Sequence, residues 1–360
     1  MEALYPLFMI LIACVGIMYA CNLFEQASDY LGRNMAPGVK GATINAIGSS
    51  LPELFTTLIL LFFYKDMDGF TGGVATTAGS AVFNAVLIPA SVILAVTVWK
   101  ATTSDIKISR PVLLRDGFFV IVAELALIFF LGAAELTTWM GLVLMSIYGA
   151  YFTYLMIQNL HHEEENEKED EHLVALGFWQ DLWTGTTGKD DIGFDKGPDS
   201  SALHGDLRAW IFLSLATSAV GAFCHLLAHA TVSLATIWEV PLFITTVVFA
   251  AAATSVPDTI ISIKDALKGE YEDAVANAIG SNIFDVCFSL GLPLALYTIV
   301  YGPVHLQGGA EIQVLRWVML GFTLVVLAVF LKGKVGKKAG YTMLGMYFSW
   351  LSYIAYIAFS

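Results

Sequence analysis

The residues best placed to do chemistry in this chain sit in four short blocks that pair off across its length. Gly48-Ser49-Ser50-Leu51-Pro52-Glu53 is matched about two hundred residues later by Ala253-Thr254-Ser255-Val256-Pro257-Asp258. Each is followed by a second block, Gly79-Ser80-Ala81-Val82-Phe83-Asn84 and then Gly280-Ser281-Asn282-Ile283-Phe284-Asp285. Glu53 precedes Asn84 by 31 positions and Asp258 precedes Asp285 by 27, so the copies differ by four residues. A carboxylate in an apolar stretch is costly and is kept only for a purpose, and no Lys or Arg accompanies Glu53 or Asp258 within the blocks. A proline inside a helix removes one backbone donor and frees a carbonyl one turn back; Pro52 and Pro257 would do this beside the two acids. The blocks thus offer carboxylates, the hydroxyls of Ser49, Ser50, Thr254 and Ser255, and freed carbonyls, with Ser80, Asn84, Ser281 and Asp285 added by the second blocks. Hard oxygens without His or Cys suit Na⁺, K⁺, Ca²⁺ or Mg²⁺ rather than zinc or copper. The bland alternative is that single hydroxyls bond their own helix backbone and that Ser80 and Asn84 hold helices together.

The elements that position these blocks are membrane helices. A mean hydropathy of +0.71, with 57% hydrophobic and 14% charged residues, is too apolar for a soluble domain of 360 residues. Apolar runs predict ten spans, at 4–24, 37–64, 70–98, 113–133, 136–158, 207–231, 239–263, 272–300, 312–331 and 340–359, most of them near the roughly 20 residues a helix needs. The second, third, seventh and eighth carry the blocks and are rich in Gly, Ser, Thr and Pro, which predicts broken or closely packed helices. With the N-terminus outside, 16 of the 18 Lys and Arg residues fall on the inner side, and only Lys65 and Arg316 on the outer. The positive-inside rule therefore predicts that both termini are outside. Met1-Glu2 carries no basic run, so the first span reads as a retained helix rather than a signal peptide. Five spans then start outside and five start inside. The predicted fold is an all-α membrane protein of ten transmembrane helices, arranged as two inverted five-helix repeats with discontinuous core helices. Inverted repeats meeting at a midplane site describe secondary transport by alternating access.

Residues 160–206 divide the chain into an N-terminal membrane repeat, 1–159, and a C-terminal one, 207–360. This stretch opens His161-His162-Glu163-Glu164-Glu165 and stays acidic. It reads as a solvated cytoplasmic linker, with a cation sensor as the sharper alternative, although no EF-hand spacing is present. Cys224, His225 and His229 could form a soft-metal face on the sixth span but read better as packing or interfacial residues. Glu124, alone in the fourth span, is either an access group for protons or cations or a packing carboxyl. The four cysteines, Cys14, Cys21, Cys224 and Cys287, all fall in spans and imply no disulfide framework.

The four blocks, in this order and with inverted topology, resemble the two α-repeats of the cation/calcium antiporters, specifically the sodium/calcium exchanger branch. The resemblance is strong over 36–95 and 239–295, and the ten-span layout extends it to nearly the whole chain. It implies a central site shared by both repeats, where Na⁺ and Ca²⁺ compete. Carried over, Glu53 and Asp258 would be the central acidic ligands. Ser50, Ser80, Thr254, Ser255 and Ser281 would line sodium sites with the carbonyls of Ala46 and Ala251, Ser49 would stand where many members have Thr, and Asn84 and Asp285 would complete the ring. The first and sixth helices of that family slide across the core to switch access. Two further departures are Ala253 in place of the usual Gly, and Asp258 where many prokaryotic members have Glu, which draws the ligand back by one carbon. No resident cofactor is implied, only the transported ions and a bilayer.

Glu53, Asp258 and Asp285 together carry −3. Two carboxylates about 5 Å apart repel by roughly 3 kcal/mol at an effective dielectric of 20, so such a site must hold cations or protons. Three Na⁺ neutralise it, whereas one Ca²⁺ leaves −1 for a proton or a K⁺. Potassium-dependent exchange therefore stays open. Proton-driven Ca²⁺ exchange is the nearest rival, but that branch is expected to carry a Gly-Asn-Ala-x-Glu type block. Two intramembrane acids also admit an aspartyl protease, but the Gly-x-Gly-Asp block of such an enzyme is missing. The sequence thus points to a multi-pass plasma-membrane Na⁺/Ca²⁺ antiporter rather than an enzyme.

Overall fold

A computed structural model of the chain describes residues 2–31, 42–43, 46–64, 67–167, 202–305 and 310–359. Among the described residues ten long helical segments follow one another: α1 (Leu4–Leu31), α2 (Ala46–Tyr64), α3 (67–99), α4 (Arg110–Phe130), α5 (Thr138–Glu167), α6 (Ala202–Trp238), α7 (Leu242–Lys268), α8 (Tyr271–Tyr301), α9 (Ala310–Leu331) and α10 (Lys337–Phe359). Eight are long and apolar enough to cross a membrane. The others, α4 and α10, have 21 and 23 residues; α4 carries four charged residues (Arg110, Arg115, Asp116 and Glu124), and α10 begins on two lysines and carries four tyrosines. Helix α5 runs to Glu167 and α6 starts at Ala202, so helix takes in both ends of the 160–206 stretch. The rest of that stretch, 168–201, and residues 37–41 and 44–45 of the second predicted span lie outside the described residues.

The four block-bearing helices form the core. Between 61% and 67% of the apolar windows of α2, α3, α7 and α8 is buried, against 28–39% for α1, α5, α6 and α9. The outward faces carry large apolar side chains such as Phe8, Phe118, Phe129, Leu142, Leu215 and Trp317, as a lipid-facing surface requires. Two short antiparallel strand pairs tie the loops: β1 (Asp105–Ile106) with β4 (Val335–Gly336), and β2 (Glu135–Leu136) with β3 (Val304–His305). The first joins the α3–α4 loop to the α9–α10 loop, and the second joins the α4–α5 loop to the α8–α9 loop. Alternating spans put each pair of loops on one common side.

Apolar packing falls into two bodies. The larger runs through α2–α5 and α7–α10. The smaller is centred on the seam between α1 and α6, where Ile10, Ala13, Ile17 and Cys21 meet Val220, Cys224, Leu227 and Leu234, and it also takes in Ala250 and Ala253 of α7. Gly16 faces the ring of Phe223 across this seam, a closeness that any side chain at position 16 would disturb.

Candidate functional site

The core helices break where the blocks predict. In α2 the helix stops at Ser49 and resumes at Leu51; in α7 it stops at Thr254 and resumes at Val256. Ser50 and Ser255 are the joints, each two residues before a proline, and Ser255 has the relaxed backbone of a turn (φ −84°, ψ −2°). Without an N–H, Pro52 and Pro257 cannot bond the carbonyls four residues back, at Gly48 and Ala253. Wider π-type turns recur too: Phe83–Leu87 in α3 and Asp285–Ser289 in α8 start at or beside the paired positions Asn84 and Asp285. Such turns are enriched at functional sites because they re-aim side chains.

Glycine lets the repeats close on each other. A Cβ on Gly280 would lie 2.9 Å from the Cα and 3.0 Å from the oxygen of Ala42, and one on Gly79 would lie 2.9 Å from the Cβ of Ala251. Each repeat thus presses the glycine of its second block against the first block-bearing helix of the other.

This crossing brings the predicted residues together. Glu53, Ser80, Asn84, Ser255, Asp258, Ser281 and Asp285 are all fully buried. Ser80 is the hub: its Oγ lies 2.9 Å from Glu53 Oε1, 3.1 Å from Asp285 Oδ2 and 2.6 Å from Ser255 Oγ. One hydroxyl hydrogen serves only one acceptor at a time, so two carboxylates share a single donor. Asn84 Nδ2 donates to Asp285 Oδ2 (3.1 Å), Ser255 Oγ to Glu53 Oε1 (3.4 Å) and Ser281 Oγ to Asp258 Oδ1 (2.7 Å). Across the repeats Thr254 stands beside Glu53, Ser49 beside Asp258 and Ser50 beside Asp285. Ser49 and Thr254 also turn their hydroxyls to the carbonyls of Ala46 (3.5 Å) and Ala251 (3.1 Å). The backbone bond weighed for single hydroxyls is therefore made at these two positions, on the same two carbonyls singled out as candidate ligands.

Chemically, the cluster holds no Lys or Arg among the described residues. Glu53 Oε2, Asp258 Oδ2, Asp285 Oδ1 and Asn84 Oδ1 are buried and make no hydrogen bond. Buried oxygens without donors are expensive, and here they converge from both repeats. Among the described residues no three His, Cys, Asp or Glu side chains form a metal cage. The arrangement is instead one of carboxylates diluted with hydroxyl, amide and carbonyl oxygens, a hard and weakly closed set suited to alkali and alkaline-earth cations that must also leave.

Several contributors were not singled out from the sequence. Asn277 Nδ2 donates to Ser262 Oγ (2.9 Å) and to the Asp258 carbonyl (3.3 Å), and Thr57 and Thr77 hydroxyls meet at 3.3 Å in the other repeat. A signal exists: polar residues recur every fourth position at Thr76-Ser80-Asn84 and Asn277-Ser281-Asp285, and at Ser49-Glu53-Thr57 and Thr254-Asp258-Ser262, which is one stripe of a helix. Glu124 is fully buried and accepts the Thr323 hydroxyl at 2.6 Å, linking α4 to α9. His225 and His229 face outward while Cys224 faces in, His225 resting on Phe63, so the three share no metal face. All four cysteines are free.

Comparison with known proteins agrees with this architecture. A family model described as "Sodium/calcium exchanger protein" matches residues 5–157 and 208–356. Sodium/potassium/calcium exchanger 2 of Rattus norvegicus is 40% identical over 105 residues, 28% of this chain and 16% of the relative. Sodium/potassium/calcium exchanger Nckx30C of Drosophila melanogaster is 38% identical over 107 residues, 29% of this chain and 12% of the relative. The matched stretches thus span only a small part of these relatives. Among solved structures, the H⁺/Ca²⁺ exchanger CAX superposes with a TM-score of 0.74 at 13% identity, covering 98% of this chain and 84% of that one. The sodium–calcium exchanger NCX_Mj superposes with a TM-score of 0.63 at 18% identity, covering 98% and 99%. At such identities these likenesses establish the fold, a ten-helix inverted repeat.

Proposed function

Because the chain belongs to the sodium/calcium exchanger protein family, we propose that it exchanges Na⁺ for Ca²⁺ across a membrane by alternating access. The observation that carries this reading is the set of buried, donor-less oxygens of Glu53, Asp258, Asp285 and Asn84 converging from two repeats. Glu53 and Asp258 serve as the central ligands of Ca²⁺. Ser50, Ser80, Thr254, Ser255 and Ser281, with the Ala46 and Ala251 carbonyls, add neutral oxygens for Na⁺; Ser49 supports from the Asp258 side, and Asn84 with Asp285 closes the ring. Three Na⁺ balance the three carboxylates, so Na⁺ and Ca²⁺ exclude one another by charge. No resident cofactor takes part; the ions are cargo.

The α1–α6 pair, packed through its own apolar seam, slides over the core to switch the open side. We place both termini outside a plasma membrane and residues 160–206 in the cytoplasm, from the distribution of Lys and Arg; 1–159 and 207–360 are the two membrane units. Potassium-coupled exchange is a second reading, supported by the names of the curated relatives and by the third carboxylate at Asp285.

Sodium-loaded vesicles containing the chain should take up ⁴⁵Ca²⁺, and Glu53→Gln or Asp258→Asn should abolish the uptake. Undiminished uptake in both variants would overturn the site. Repeating the assay with Na⁺, K⁺ and H⁺ gradients separates the coupling ions.

A further inference from the structure

A second convergence of oxygens lies away from the central cluster, at the contact between α1 and α7. Asn22 and Glu25 are one helical turn apart on α1, and both aim at the Lys264 ammonium of α7: Nζ donates to Asn22 Oδ1 at 2.7 Å and to Glu25 Oε2 at 3.1 Å. Glu25 is 7% exposed and Lys264 41%. The three border a cavity of about 210 Å³ that also touches Met18, Cys21 and Pro257. Pro257 adjoins Asp258, and Cys21 lies within electrostatic reach of Glu25 as well as of Glu53 and Asp258. The cavity exceeds by far what one water needs. It lies in the half of the molecule where α1 and α7 end.

The ion-paired Lys264 ammonium thus borders a cavity whose wall reaches Pro257, the neighbour of Asp258. Two oxygens, one a nearly buried carboxylate, already hold one cation here, the tethered ammonium. The partners also pack differently: α1 packs chiefly with α6, whereas the part of α7 that carries Lys264 packs on the core through Ala266 and Leu267. A displacement of α1 along the core must therefore break this contact.

We propose that Asn22 and Glu25 form a vestibular binding site for the transported cations, and that Lys264 is its built-in competitor. The inference rests on the exchange reading given above. With the ammonium seated, the site is closed to Na⁺ and Ca²⁺ and the face releases its cargo readily. With the ammonium displaced, an incoming cation takes its place and is passed inward along the cavity toward Asp258. Lys264 thereby sets the apparent affinity of one face of the membrane without touching the central ligands.

The test uses the full chain in vesicles of both orientations, with initial ⁴⁵Ca²⁺ exchange measured against cation concentration on each face. Lys264→Met should raise the apparent affinity on the face where α1 and α7 end by about fivefold at low ionic strength, the scale of one partly exposed ion pair. Glu25→Gln should lower it by a similar factor, the double variant should return toward the parent, and Lys264→Arg should resemble the parent. The opposite face should not change. A purely structural ion pair gives losses of the same sign in both single variants and on both faces, and that outcome, or no change at all, overturns the proposal. In the unsubstituted protein, an amine-specific reagent should label Lys264 faster in Na⁺ or Ca²⁺ than in tetramethylammonium of equal ionic strength, as mapped by mass spectrometry. An equal rate also overturns it, even where a variant fails to assemble. If the parent exchanges under no gradient, the exchange reading itself falls; if it exchanges and the faces respond alike, only the vestibular site falls.

Discussion

At the scale of single residues, the two copies of the site are similar but not interchangeable. Asn84 and Asp285 occupy equivalent places, and the amide of one donates to the carboxylate of the other. Ser80 is shared by Glu53 and Asp285, whereas its counterpart Ser281 serves Asp258 alone. The third carboxylate is thus tied to the Glu53 side, and its charge decides how many monovalent ions balance the site. Asp285→Asn lowers the charge from −3 to −2, which a single Ca²⁺ neutralises. We expect ⁴⁵Ca²⁺/Ca²⁺ self-exchange to survive in this variant while its dependence on Na⁺, and on any K⁺ or H⁺, falls steeply. Equal loss of both activities would show that Asp285 is needed for Ca²⁺ as well. The blocks made every one of these residues legible as a candidate. Asn277 and Ser262 were missed because they lie outside the four blocks, four residues from Ser281 and Asp258, although the four-residue polar stripe includes them.

At the scale of elements, the core helices depend on near contact at small residues. Gly280 sits against Ala42 backbone atoms that cannot rotate away, so Gly280→Ala must part α8 from the other repeat. Overpacking of this kind costs about 1–3 kcal/mol; we expect a lower melting temperature together with a larger loss of exchange than of expression. Gly149 on α5 has no neighbour within 4 Å of an added Cβ, and Gly149→Ala should leave both measurements unchanged. If the two substitutions behave alike, close approach is not what Gly280 supplies. The helix breaks at Ser50 and Ser255 were readable from the prolines. The π-type turns at Phe83–Leu87 and Asp285–Ser289 were not, since no residue type marks a fifth residue inserted into a helical turn.

At the scale of the whole molecule, the proposed alternation rests on a core and an α1–α6 pair that pack in two largely separate apolar clusters. Gly16 and Phe223 face each other within the pair, and Asn22 and Lys264 face each other across its boundary with the core. In a background without the four native cysteines, oxidising Gly16→Cys with Phe223→Cys should leave Ca²⁺ exchange largely intact. Oxidising Asn22→Cys with Lys264→Cys should arrest it, and reduction should restore it. Arrest by both cross-links would mean that α1 and α6 do not move together.

The amino-acid sequence alone determined the ten spans, their inverted halves and which acids and hydroxyls are candidates for the site. Those properties rest on local chemistry: apolar length, the siting of Lys and Arg, and the cost of an acid in an apolar helix. The sequence did not determine which acid meets which hydroxyl, since Ser80 lies 175 residues from Ser255 and 205 from Asp285. Nor did it reveal that Lys264, read as one more inner-loop charge, folds back onto Asn22 and Glu25. Those pairings are decided by how two repeats pack at Gly79 and Gly280 and by where α1 lies on the core, and such long-range packing leaves no mark in the spacing of any single helix.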